Sequence, residues 1–189
     1  AEEIADVTLS RLDDLVPYTW AAVELFDFEA DRVHMIASHP DSSMDGSRDH
    51  PLVWHEPIDV LRTGRPYAVE DIRALPENPL TESLRARGLR SITALPLEVN
   101  DALFGVLAVT RDRTGTLSQE DLRIFQDLAD QLAIGIQQAQ LRERIDNYTE
   151  ELEAQVSART VQLRASEARF RSIFEQAAIG ITLADREGP

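Results

Sequence analysis

The chain has 189 residues, of which 43% are hydrophobic and 28% charged, and its 34 acids against 19 basic residues give a formal charge of −15. That length holds one ordinary domain with a core plus an appendage. Such acidity argues against a nucleic-acid partner, which needs a positive footprint, and no apolar run approaches the roughly 20 residues that cross a bilayer. There is no cysteine, and every lysine-or-arginine position is arginine, so disulfides, thiolate nucleophiles, cysteine-ligated metals and Schiff-base or phosphate-loop lysines are all unavailable.

Ile4, Ala5, Val7, Leu12, Leu15 and Val16 recur at helical spacing before Pro17, which predicts an amphipathic helix over 2–16. Trp20–Phe26 and Val33–Ser38 are short, partly alternating apolar runs around the acidic turn 27–32, and they predict a β-hairpin. Residues 39–83 are interrupted at Pro40, Gly46, Pro51, Pro57, Pro66, Pro76 and Pro79. Only a short helix near Ile58–Thr63 and a short strand at 66–70 are placed there, and so long an irregular excursion reads as a binding loop or lid. Ile92–Val99 and Ala102–Thr110, turned at Asn100-Asp101, predict a second hairpin. Four or five antiparallel strands with flanking helices make an α+β domain.

The last helix carries the clearest start signal. Ser118 is its N-cap, Asp121 stands at the third helical position as in a capping box, and Leu117 can staple onto Leu122. Leu122, Phe125, Ala129, Leu132, Ala133, Ile136 and Ala139 form one apolar face suited to a sheet. A second seam follows at Ile134, Leu141, Ile145, Tyr148 and Leu152, in the four-and-three rhythm of a coiled coil. Beyond Leu152 the apolar positions resume only at Val156, Leu163, Phe170 and Ile173, a four-residue stutter that locally unwinds a supercoil. A helix from Ser118 to about Glu175 would be roughly 85 Å long. Left alone it would leave its seam wet, so a parallel homodimer is expected.

Gly88-Leu-Arg-Ser91, Pro96-Leu97, Gly105-Val-Leu107 and the helix start 117–122 together resemble the C-terminal half of a GAF domain, and Pro57–Ile72 is similar to the region leading into it. Ser166–Phe174 and Ala177–Gly188 resemble the entry helix and first strand of a PAS domain, cut short after about 24 residues, so the chain reads as a piece of a longer protein. The segment between is similar to the signalling linkers of bacterial sensor histidine kinases and diguanylate cyclases. The resemblance implies a GAF-like antiparallel sheet flanked by helices over 1–139, a dimeric coiled-coil linker over 140–165 and a PAS start over 166–189. It further implies a cytoplasmic, homodimeric input module of a two-component histidine kinase, or alternatively of a cyclic-dinucleotide regulator. A ligand-free dimerisation module and a noncovalent chromophore or haem sensor are the other readings, and the piece itself carries no catalytic residues.

GAF domains as a family bind small molecules between sheet and irregular segment. The cyclic-nucleotide motif is missing here, since there is no lysine and Phe125 is followed by Ala129-Asp130 where Asp-Glu is required. Covalent bilin attachment needs the absent cysteine. The ligand, if one is bound, is unnamed by the sequence. Trp54, His55, Tyr67 and Arg90 are the candidate pocket residues, because aromatics with one imidazole and one guanidinium suit a small polar or anionic ligand. His34, His39, His50 and His55 show neither the i, i+4 helical pairing of a zincin nor a finger spacing. They are read as surface or hydrogen-bonding groups, and no metal site is assigned.

Overall fold

A computed structural model describes the backbone of residues 1–12, 16–40, 48–55 and 58–184, with side chains for these except residue 165 and those from 170 onward. Six strands form one sheet: β1 (Trp20–Asp27), β2 (Arg32–His39), β3 (Asp49–Pro51), β4 (Tyr67–Val69), β5 (Ser91–Val99) and β6 (Ala102–Arg111), in the order β3-β2-β1-β6-β5-β4, with every neighbouring pair antiparallel. The helices are α1 (Glu2–Leu12), α2 (Ile58–Leu61), α3 (Pro79–Ala86) and α4 (Gln119–Ala184), with single 3-10 turns at Leu52–Trp54 and Ile72–Ala74. The chain divides into two compact units, Ala1–Gln140 and Leu141–Pro189.

Strand alternation divides the core of the first unit into two faces. On one, Ala21 and Val23 of β1, Leu95 and Leu97 of β5, and Leu107 and Val109 of β6 pack with Ala5, Leu9 and Leu12 of α1 and with Phe125, Ala129, Leu132, Ala133 and Ile136 of α4. On the other, Trp20, Ala22 and Met35 meet Ile72, Leu84 and Leu89, while Phe26, Val33 and Val106 meet Leu61. A central strand covered on both sides has no polar face to show, which is why β1 reads as a nearly unbroken apolar run. Glu24 is the exception within it.

The two hairpins close through backbone chemistry that the sequence announces. Asn100 and Asp101 have φ of 53° and 61°, the paired left-handed conformation of a two-residue turn whose twist suits antiparallel strands. Asp27 Oδ1 accepts the backbone N–H groups of Glu29 and Ala30 and so folds the β1–β2 turn. At α4 the Ser118 hydroxyl accepts the Asp121 N–H at 3.1 Å, as expected of its N-cap.

Several elements differ from the sequence reading. The sheet has six strands rather than four or five: β4 falls within the strand expected at 66–70, and β3, only three residues long, is the addition. The described part of α1 stops at Leu12, and residues 13–15 lie outside the described residues. α3 was hidden by counting Pro79 as a break. Proline in fact occupies the first helical turn, where its missing N–H costs nothing, behind a reciprocal cap in which Asn78 Oδ1 accepts from Thr81 N and Thr81 Oγ1 from Asn78 N. The strand implied at Ala177 by the PAS resemblance is not formed: α4 continues to Ala184. A lone apolar segment has no neighbouring strand there to complete its ladder, whereas continuing a helix satisfies each backbone group locally.

Gly105 explains why its motif needs glycine. A Cβ at this position would lie 2.5 Å from the Glu24 carbonyl oxygen and 3.1 Å from Leu25 Cδ2, so the β1–β6 approach depends on its absence. Gly105→Ala is expected to lower stability by about 1–3 kcal/mol, the usual cost of overpacking. Urea unfolding followed by far-UV circular dichroism checks this, and an unchanged midpoint would refute the close-approach role.

Candidate functional site

The face of the sheet covered by the irregular segment holds the site. Along β1 the side chains of Trp20, Ala22, Glu24 and Phe26 point to this face by simple alternation. Strand pairing aligns Phe26 with Val33 and Val33 with His50, so β3 brings His50 to the same face two strands away. The 3-10 turn Leu52–Trp54 then reverses the chain, and its C-cap residue His55 folds back toward His50. The Trp54 ring lies 5.9 Å from the His50 ring with planes 10° apart, and the His55 ring meets His50 nearly edge to edge, with centroids 4.9 Å and planes 21° apart.

Glu24, His50 and His55 form a buried polar cluster inside this apolar face. His50 Nε2 and His55 Nε2 are 2.6 Å apart, which requires one nitrogen to donate and the other to accept. His55 Nε2 also stands 3.4 Å from Glu24 Oε2, whose side chain is only 3% exposed. Burial pushes the Glu24 carboxyl up to about 7 from an ordinary 4.5, with His50 pulling it partly back. Burial likewise pushes His55 down to about 4 and lowers His50, against the opposing attraction of Glu24. At pH 6 both His55 and Glu24 are therefore neutral, and their contact is not an ion pair despite its length. Glu24 Oε2 in fact makes no hydrogen bond. The three residues offer ligand atoms all within 4.8 Å of one another, the one such group among the described residues able to hold a metal ion.

Beside the cluster lies a cavity of about 60 Å³, room for a few waters or a small organic group. Its walls include Trp20, Glu24, Trp54, His55 and Tyr67, with Asn78 and Thr81 toward α3. Asn78 Oδ1 and Thr81 Oγ1 are engaged in the α3 cap and in the Thr81 hydroxyl's bond to the Pro76 carbonyl. Two buried wall atoms are left without a hydrogen bond, the Trp20 indole Nε1 and Glu24 Oε2. A wider recess of about 260 Å³ between β5 and α4, bordered by Glu98, Gln126 and Asp130, has no such unpaired atoms. Buried polar groups without partners are costly, which makes the smaller cavity the better site candidate.

Of the residues picked from sequence, Trp54, His55 and Tyr67 line this cavity. Arg90 does not. Its backbone is fixed at the start of β5, donating to the Arg111 carbonyl and accepting from Ile72 N, and its guanidinium reaches Asp71 at 3.9 Å. Asp71 is in turn held well below the usual carboxylate range, to about 2, chiefly by the Arg73 guanidinium at 2.6 Å. Arg90 thus closes a surface ion-pair group. Glu24, Trp20 and His50 were missed by sequence reasoning, although a lone carboxylate within an apolar strand was a signal available at Glu24.

Residues 1–136 match the family model of the GAF domain. This chain belongs to the GAF domain family. Its fold is similar to that of the GAF domain of a two-component sensor histidine kinase from Bacillus halodurans, at 21% identity and a TM-score of 0.64 over 75% of this chain and 97% of that one. The blue-light absorbing form of the PixJ GAF domain from Thermosynechococcus elongatus aligns at 18% identity and TM-score 0.60, covering 76% and 89%. A GAF domain/HD domain protein from Geobacter sulfurreducens aligns at 22% identity and TM-score 0.58, covering 74% and 94%. No curated protein matches the chain.

The Glu24 environment gives a pH signature. Unfolded, this carboxyl ionises at 4.5; folded, it keeps its proton to about 7. As pH rises between those values the unfolded state loses a proton that the folded GAF domain retains, so the domain loses stability. Glu24→Gln removes that charge, and its stability relative to wild type should rise by about 2–3 kcal/mol between pH 5 and pH 8.5. Urea unfolding in chelator-containing buffer measures the difference, and a pH-independent offset would contradict the buried, proton-bearing carboxyl.

Proposed function

We propose that this GAF domain is the sensory module of a multidomain bacterial signal-transduction protein, cytoplasmic and homodimeric, whose occupied cavity biases the register of paired α4 helices. The observation that carries the proposal is the double role of α4. Its first turns supply Phe125, Ala129, Leu132, Ala133 and Ile136 to the domain core. Its later residues Ile134, Leu141, Ile145, Tyr148, Leu152, Val156 and Leu163 are apolar yet between 50% and 67% exposed, and their four-and-three spacing with one stutter suits a partner helix. The side chain of Phe170, the seam's last expected member, lies outside the described residues.

The ligand this cavity suits is small and mostly apolar, offering an acceptor to Trp20 Nε1 and a donor to Glu24 Oε2. A haem or open-chain chromophore is poorly supported by about 60 Å³, because the wall side chains would have to move aside for it. The output is assigned to a histidine kinase ahead of a cyclic-dinucleotide cyclase on the likeness of this fold to GAF domains named as parts of sensor kinases. No helix among the described residues is long and apolar enough to cross a membrane.

The absence of native cysteine makes the relay directly testable. Single cysteines at Leu141, Ile145 and Leu152 are expected to form disulfide-linked dimers on mild oxidation, whereas cysteines at Arg142 and Asp146 should crosslink far less. Leu141→Glu combined with Leu152→Glu should give a monomer by light scattering, with the thermal unfolding of the GAF domain preserved. A dimer that survives both charges, or a crosslinking pattern blind to position, would refute the seam.

A further inference from the structure

We propose that Glu24, His50 and His55 are the protein ligands of a divalent first-row transition metal ion, of the zinc class, with an open coordination position toward the cavity. The donor set is two imidazoles and one carboxylate, a combination used at sites where three protein ligands hold the ion and a fourth position is left to solvent or a small molecule. With metal–ligand distances of about 2.0–2.2 Å, tetrahedral donors stand about 3.4 Å apart. His55 Nε2 and Glu24 Oε2 already lie 3.4 Å apart. His50 Nε2 and His55 Nε2, now 2.6 Å apart, would separate by about 0.8 Å as the ion replaces their shared hydrogen.

Three further features favour an ion there. Glu24 Oε2 is buried without a hydrogen bond although it faces an imidazole nitrogen, and a carboxylate in an apolar interior is ordinarily paired or metal-bound. Two of the three ligands are held by regular elements: Glu24 sits in a central strand behind the close Gly105 contact, and His50 sits in β3, paired with Val33, with the Trp54 ring 5.9 Å away and nearly parallel. Rigid placement of this kind is what a metal site requires. Finally, Glu24 and His55 line the cavity while His50 does not, so the vacant side of the ion faces that space. The imidazoles argue against calcium and magnesium, which prefer oxygen.

The test uses the complete 189-residue chain after dialysis against a chelator. Titration with Co²⁺ should give an intense visible ligand-field band saturating at one equivalent, and Zn²⁺ should displace it with a Kd below about 1 μM. Zn²⁺ should also raise the Tm by mass action. Glu24→Gln, His50→Gln and His55→Gln should each weaken binding by at least about 100-fold, since even indirect supporting residues account for 10–100-fold. His34→Gln and His39→Gln, outside the cluster, should leave it unchanged. Zinc-edge X-ray absorption of the wild-type complex, which requires no variant, should show two imidazoles, and azide should shift the cobalt band if the fourth position is open. No band, a zinc shell without imidazole, or binding that survives loss of both His50 and His55 overturns the site; a band that azide leaves unmoved overturns its open position.

Discussion

The organising constraint of this domain is that its central strands are buried on both faces by quite different materials. One face is sealed by α1 and α4 with aliphatic side chains and Phe125, a dry layer that hydrophobic burial alone can hold together. The other is roofed by the described parts of residues 49–89, made of short turns, three-residue strands and the short helices α2 and α3. Short elements cannot present a continuous apolar ridge, so this roof packs less completely, and the gap beneath it is the cavity. The polar cluster there is bordered by rings, Trp54 beside His50 and Phe26 beside His55.

Glu24 stands at the point where the two faces are closest in sequence. Its neighbours Val23 and Leu25 point to the helix-covered side, Val23 within the core that also contains Phe125 and Leu132 and Leu25 packed against it. Across the ladder Glu24 pairs with Val106 and Leu25 with Gly105. The carbonyl oxygen of Glu24 rests on Gly105, so the strand has little freedom to slide in its plane.

Much of this fold was legible in the sequence, for reasons that can be traced to single residues. Asn100-Asp101 accepts positive φ at low cost, so the β5–β6 turn announced itself. Ser118 with Glu120 and Asp121 marked the start of α4 because carboxylates and a hydroxyl suit exposed N–H groups. The roof was harder. Asn78-Pro79 carries both a cap and a helix-compatible first residue, yet proline is more conspicuous as a breaker, and α3 disappeared behind that rule. β3 is too short for any alternation to register, whereas β4 falls within the strand expected at 66–70.

The site was legible only in part, because its members are joined by topology and not by spacing. Trp54, His55 and Tyr67 could be picked as aromatic and imidazole groups in a proline-rich stretch. Arg90 could not be separated from them by type, since only the backbone bonds to Arg111 and Ile72 show that it faces Asp71 instead. His50 and His55 are five residues apart, a separation that on a helix or strand means nothing for ligation. A 3-10 turn between them brings the two imidazoles together, Nε2 to Nε2. Their carboxylate partner lies more than twenty residues earlier, reached through the β1–β2–β3 register.

A chain without lysine or cysteine has few ways to make a small interior site selective. Ammonium groups and thiolates are excluded by composition, and arginine is too large and too reluctant to lose its charge to sit in a 60 Å³ cavity. What remains are indole, imidazole, carboxyl and hydroxyl groups, and the described cavity uses the first three at its polar end. Each can be neutral near pH 7 when buried, which lowers the desolvation cost of keeping the site dry between ligands. Such a site discriminates by shape and by hydrogen-bond direction more than by charge. Most of the −15 formal charge is carried by residues 1–139, with 25 acids against 12 arginines, and only −2 by residues 140–189, with 9 against 7; among the described residues Glu24 is the one buried carboxyl, so the interior is left to respond to chemistry of a different kind.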